Sequence, residues 1–129
     1  MAEPRHALEL GGDGMEDVET PAWEDVAEAM KALDGYDRTI LTLVRGLAHM
    51  AVGGDAGRGL VLYADLGDED FYNLIVPDAG AGSVEVVAGG QPGVFEARQV
   101  VSEGQALAAL KAFWENGRLD QGQVWERQY

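Results

Sequence analysis

Between Arg38 and Val101 the apolar residues follow a period of two, and this alternation constrains the fold more than any other feature of the chain. Such alternation is typical of β-strands, whose successive side chains point to opposite faces of a sheet. Six segments show it, and short turns separate them. We predict strands at residues 38–45, 47–52, 60–65, 70–76, 83–88 and 94–101. Because none of the connections contains a crossover helix, the strands should pair in an antiparallel manner.

Amphipathic helices are predicted on both sides of this strand region. The first helix opens at Thr20-Pro21, because Thr can cap a helix and Pro fits its first position, and it stops at Gly35. Its apolar residues share one face at helical spacing. They are Trp23, Val26, Met30 and Leu33.

The second helix has stronger end signals. Ser102 and Gln105 match the capping box, in which each side chain satisfies the other residue's free backbone N–H, and Gly117 supplies the stop. Its apolar residues form one stripe, which we expect to be buried. They are Ala106, Leu107, Leu110, Phe113 and Trp114.

Together these patterns predict an α+β fold, a mainly antiparallel five- or six-stranded sheet with two helices packed against it. Several strands are apolar on both faces for part of their length, which indicates helices covering at least one side. Residues 20–129 should form this single domain. Residues 1–19 contain several Gly and acidic residues and predict a loosely ordered acidic arm, in which Leu8 and Leu10 could form a short edge strand.

The chain is strongly acidic, with 9 basic against 23 acidic residues and a formal charge of −14. Nucleic acid and anionic membranes are therefore excluded as direct partners, since both require a basic surface. A partner protein with a basic surface is the natural complement, although acidity that only maintains solubility would give the same sign. The absence of Cys, of a secretion signal and of a membrane-spanning stretch predicts a cytoplasmic protein.

No residue constellation points to catalysis. The chain has two His residues, of which His6 lies in the acidic arm and His49 stands alone on a predicted strand. The Gly89-Gly90 segment lacks the Lys and the helix of a phosphate-binding loop and predicts a hairpin turn. We therefore predict no catalytic residue, no cofactor and no enzymatic activity.

The densest acidic segment lies between two predicted strands, and its carboxylates are Asp65, Asp68, Glu69 and Asp70. Three interpretations remain open: a solvated turn, a docking patch for a basic partner and a calcium site. The segment lacks the ligand spacing of an EF-hand, so we predict no metal. A metal-dependent hydrolase using this loop is the enzymatic rival.

Aromatic side chains close to these acids are candidate anchors for a partner. Phe71 and Tyr72 follow the acidic loop on alternating strand faces, so one of the two must point inward. Trp125 and Glu126 lie in the C-terminal tail and complete the candidate binding residues.

Several short motifs, in this order, resemble immunity protein family one of the bacterial polymorphic toxin systems. The resemblance covers roughly residues 20–127 and leaves the acidic arm outside. The motifs are Leu33-Asp34-Gly35, Leu41-Thr42-Leu43, Val52-Gly53-Gly54, Gly89-Gly90-Gln91, Phe113 with Gly117, and Trp125-Glu126.

The resemblance implies a cytosolic protein that binds and neutralises a cognate toxin domain. Family members neighbour toxins that include nucleic-acid deaminases and nucleases, which would supply a basic surface. The matching motifs are those of a fold and carry no binding residue across. The alternative is a small acidic ligand-binding or assembly module with no toxin partner.

Overall fold

A seven-stranded antiparallel sheet carries two helices on one face and a separate β-hairpin on the other. The computed structural model describes residues 5–12, 15–67 and 70–128. Its elements, in chain order, are β1 His6–Gly12, β2 Met15–Glu19, α1 Trp23–Lys31, β3 Arg38–Arg45, β4 Ala48–Asp55, β5 Gly59–Asp65, β6 Phe71–Ile75, β7 Ser83–Ala88, β8 Gln91–Glu96, a 3₁₀ turn Ala97–Gln99, α2 Glu103–Asn116 and β9 Val124–Gln128.

The order of strands in the main sheet is β2-β1-β3-β4-β5-β6-β9, and all neighbours are antiparallel. The predicted α+β class is therefore confirmed, but the described sheet has seven strands where five or six were expected. β7 and β8 form their own two-stranded sheet. The strand predicted over residues 94–101 ends at Glu96, because the Gln99 side chain accepts a hydrogen bond from the Glu96 N–H and closes a 3₁₀ turn.

The N-terminal segment differs from the loosely ordered arm that its composition predicted. Its described residues form β1 and β2, and β1 lies between β2 and β3. Leu8 pairs with Leu43 of β3 and with Val18 of β2, and its side chain is buried. Gly11 makes this pairing possible, because a Cβ at Gly11 would lie 2.9 Å from the Ile40 side chain. Glycine here serves close packing between strands.

The core lies between the sheet and the two helices. Val26, Leu110 and Phe113 are fully buried in it, as predicted, while Trp23 and Leu107 are half-buried at its margin. The strand residues on this side share the even positions of β4, β5 and β6 or the odd positions of β3. They are Leu41, Leu43, Met50, Val52, Leu60, Leu62, Ala64 and Leu74.

The two helix starts differ in how well the sequence located them. α2 has the predicted capping box, with hydrogen bonds in both directions between Ser102 and Gln105, and Gly117 ends it in the left-handed conformation. α1 begins two residues later than predicted, with Ala22 in place of Thr20 as its N-cap and the Asp25 side chain accepting a hydrogen bond from the Ala22 N–H. Neither helix in the described part of the chain is long and apolar enough to cross a membrane.

Candidate functional site

The face of the main sheet opposite the helices is covered at one end only. Ala88 of β7 lies over β4 at Gly53, where a Cβ would come 2.4 Å from the Ala88 Cβ. Val86 of the same hairpin approaches Gly54. The hairpin thus covers one end of this face, and no other described helix or strand lies over the remainder.

We call the uncovered remainder the open face. Strand alternation and the observed pairing assign its residues. On β5, for example, Leu60, Leu62 and Ala64 are buried under the helices, so Tyr63 and Asp65 point the other way. The open face consists of Glu9, Asp17, Glu19, Thr42, Val44, His49, Tyr63, Asp65, Phe71, Asn73, Glu126 and Gln128.

Three of the eight predicted binding residues come together on the open face. Asp65 pairs with Phe71 across β5 and β6. Phe71 in turn pairs with Gln128 of β9, two residues along the strand from Glu126. Residues i and i+2 of a strand share a face, so Glu126 lies on the same side as Phe71.

Tyr72 and Trp125 point to the opposite side, toward the helices. Tyr72 pairs with Arg127, and Trp125 pairs with the buried Leu74. Trp125 packs against the core, and its indole N–H donates to the Asp120 carbonyl at 2.9 Å. Its ring therefore holds the C-terminal strand, residues 124–128, against the core. The sequence did not decide which of Phe71 and Tyr72 points inward. In the structure Phe71 points to the open face and Tyr72 points toward the helices.

The described ends of the acidic segment, Asp65 and Asp70, each have a polar partner. Asp65 accepts a hydrogen bond from the Gly67 N–H at 2.8 Å, and Asp70 lies 3.2 Å from the Arg127 guanidinium. Asp68 and Glu69, the other two predicted carboxylates, lie outside the described residues. Within residues 5–12, 15–67 and 70–128, no cluster of three or more His, Cys, Asp or Glu side chains could hold a metal ion.

The sequence interpretation did not include Tyr63, which is the most exposed aromatic side chain of the open face at 41%. Its ring meets His49 edge-on at a centroid distance of 5.8 Å. Phe71 is 36% exposed on the neighbouring strand. Tyr63 could have been identified from β5 alone, because it stands out of phase with Leu60 and Leu62.

Carboxylates outnumber arginines on this face. At one corner Arg5 lies 2.9 Å from Glu19, 3.2 Å from Glu9 and 3.7 Å from Asp17. Three carboxylates around one guanidinium leave a net negative charge. Hydrogen bonds from Arg5 hold the pKa of the Glu19 carboxyl below its usual value, so this group stays ionised at neutral pH.

At the other side, Arg98 of the 3₁₀ turn binds Glu126 through both terminal nitrogens, one of them at 2.9 Å. Arg98 also contacts Glu96. Hydrogen bonds from Arg98 lower the pKa of the Glu126 carboxyl. This pair joins the end of the β7–β8 hairpin to the edge strand β9.

An apolar cleft of about 250 Å³ opens between the sheet and the β7–β8 hairpin. Ala51, Val61 and Tyr63 line it on the sheet side, and Ala88 and Phe95 line it on the hairpin side. The open face thus combines excess negative charge, exposed aromatic rings and an adjoining apolar cleft, so it can attract positive charge and offer aromatic anchors.

Comparison with known proteins assigns the chain to a family. No curated protein shows a significant match to the sequence. The family model described as Immunity protein Imm1 matches residues 14–127, which extends from β2 to all but the last residue of β9. The chain therefore belongs to the Imm1 family of immunity proteins.

Proposed function

We propose that this immunity protein binds a cognate toxin domain that acts on nucleic acid, a deaminase or a nuclease, and blocks it as a stoichiometric inhibitor. Family membership supports an immunity role. The observation that carries the rest is the open face, where Asp65 and Glu126 lie beside the exposed aromatic rings on one side of the sheet.

The charge of the open face supports a basic partner. Its described carboxylates are Glu9, Asp17, Glu19, Asp65 and Glu126. Arg5 contacts the first three of them, and Arg98 contacts Glu126. A toxin that acts on nucleic acid needs Lys and Arg residues to bind phosphates. An acidic surface attracts such a groove and can raise the association rate by roughly 10- to 1,000-fold at low salt.

Charge alone does not give the tight binding that self-protection requires. A nanomolar dissociation constant corresponds to about −12 kcal/mol, and a few desolvated anchor residues supply most of such energies. We propose Phe71 and Tyr63 as these anchors. We propose that the charges of the acidic segment, Asp65, Asp68, Glu69 and Asp70, steer the encounter.

We infer that inhibition requires no turnover by this chain, no metal and no cofactor. An inhibitor that acts by occupancy needs only a complementary surface and a concentration equal to that of the toxin. We further expect it to act in the cytoplasm, where the nucleic acid of the producing cell would be exposed to the toxin.

A titration tests this proposal. The toxin domain encoded beside this chain's gene would be purified, and its deaminase or nuclease activity measured against increasing amounts of the immunity protein. We expect activity to fall linearly to zero near one equivalent. Full activity at several equivalents would overturn the proposal. Neutralisation of a large toxin excess would show turnover and so contradict the non-enzymatic mechanism.

A further inference from the structure

We propose that the cleft between the sheet and the β7–β8 hairpin receives one aromatic side chain of the toxin, and that this residue is flanked by Lys or Arg. This inference rests on the proposed function and deepens it, because it assigns the anchor pocket of the complex and the chemistry of its occupant.

The cleft is preformed, because both of its walls are fixed by packing. On the sheet side, Ala51 is buried and Val61 lies on a central strand. On the hairpin side, Ala88 is held directly against Gly53, and the Thr39 hydroxyl accepts a hydrogen bond from the Gly90 N–H at 2.8 Å. A rigid pocket saves the ordering cost that a partner residue would otherwise meet on binding.

Size and chemistry of the lining favour an aromatic ring. An apolar cavity of about 150 Å³ holds benzene, so a cleft of about 250 Å³ has room for a larger ring. Tyr63 and Phe95 face it and can make edge-to-face contacts. Asn73 and Gln99 are the polar residues of the lining and could meet an indole N–H or a phenol O–H.

The carboxylates beside the cleft predict which residues of the toxin flank its aromatic residue. Glu126 pairs directly with Asn73, and Asp65 follows Tyr63 two positions along the same strand face. A partner segment with Lys or Arg next to the aromatic residue would place its charge against these groups. The net charge of −14 disfavours a second copy of this chain on the same surface.

The test fills the cleft and measures binding to the toxin domain encoded beside the gene. Val61→Phe places a ring in the cleft from a strand position that tolerates aromatic residues. Affinity should fall about 30-fold or more, the loss expected of an anchor residue. Val94→Phe is the matched control, because Val94 lies on β8 but is 72% exposed and outside the cleft lining. Its affinity should stay within about twofold of the wild type.

A second variant keeps the proposal testable if Val61→Phe does not fold. Phe95→Ala removes the aromatic part of the hairpin-side wall, leaves Ala88 in place, and does not touch the helix-covered core. Thermal unfolding would confirm that each variant is folded, and the folded variant should show the same 30-fold loss. Truncation of one exposed aromatic residue of the toxin to Ala should weaken wild-type binding similarly and have little further effect against Val61→Phe.

The outcomes separate the two proposals. If the wild-type chain does not bind the toxin, the proposed function fails and the anchor proposal falls with it. If the wild type binds and the folded cleft variants bind equally well, only the anchor proposal is overturned. A further outcome is that the wild type self-associates and that Val61→Phe abolishes this self-association without changing the affinity for the toxin. That result would identify a second copy of this chain as the occupant of the cleft and would also overturn the anchor proposal.

Discussion

Gly53 and Ala88 are in such close contact that no side chain fits at position 53: a Cβ there would lie 2.4 Å from the Ala88 Cβ. This contact holds the β7–β8 hairpin on the main sheet, and the hairpin forms one wall of the apolar cleft. The Val52-Gly53-Gly54 motif therefore determines where the hairpin docks.

Replacing Gly53 by Ala should lower the free energy of unfolding by about 1–3 kcal/mol, because the added methyl overpacks the contact. Ala88→Gly removes the opposing methyl and should restore part of the loss in the double variant. Denaturant unfolding of the four proteins in this cycle measures the coupling. Simple additivity of the two single changes would show that the contact does not hold the hairpin.

Leu110→Ala should destabilise the protein by about 2–5 kcal/mol, since Leu110 is fully buried between α2 and the sheet. Leu47→Ala is the matched control, because Leu47 is 89% exposed in the β3–β4 turn and should change stability by less than about 0.5 kcal/mol. Equal effects of the two substitutions on urea unfolding would contradict the packing of α2 described above.

The Arg98–Glu126 pair predicts a pH dependence of stability. Hydrogen bonds from Arg98 hold the folded-state pKa of the Glu126 carboxyl below its ordinary value of 4.5. The ionised form is therefore favoured by folding, so its stabilisation is present above about pH 4.5 and is lost as pH falls through the lower, folded-state pKa.

Glu126→Gln should accordingly lower the urea midpoint at pH 7, and the difference from the wild type should shrink as pH falls below 4.5. The pair is partly exposed, so the difference should also shrink at high salt. A difference that is constant from pH 7 to pH 3 would show that the carboxylate charge does not stabilise the fold.

Phe71→Ala should weaken binding of the cognate toxin domain by about 2 kcal/mol or more if Phe71 is an anchor. Trp125→Phe should instead lower stability, because it removes the hydrogen bond to the Asp120 carbonyl on the helix side of the sheet. Affinity and thermal unfolding measured on both variants distinguish the roles. If folded Trp125→Phe lost more affinity for the toxin than Phe71→Ala, the interface would lie on the helix side of the sheet instead.

Local signals in the sequence were sufficient for parts of this structure. The Ser102–Gln105 capping box, Gly117 and the apolar stripe located α2, and alternation located β3 to β7, because all of these features depend on residues close in the chain. β9 could not be found in this way. It pairs with β6 about fifty residues earlier, and no local pattern specifies such a partner.

The candidate site was only partly predictable for the same reason. Asp65, Phe71 and Glu126 were identified as candidates, but that they share one face follows from the pairing of β5, β6 and β9. The prediction of a loosely ordered acidic arm depended on its glycines, whereas its described residues form β1 and β2. The packing role of Gly11 against Ile40 becomes apparent only once β1 is paired with β3.

The association rate of the toxin domain tests most directly that the acidic open face is the docking surface. The variant Glu9→Gln/Asp65→Asn/Glu126→Gln removes three charges from this face. Its matched control, Glu24→Gln/Glu28→Gln/Glu115→Gln, removes three charges from exposed positions on the helices. We predict that at low salt the open-face variant associates at least about tenfold more slowly than the wild type and loses most of its salt dependence, while the helix variant stays close to the wild type. Equal rates for both variants, or a slower rate for the helix variant, would contradict this account.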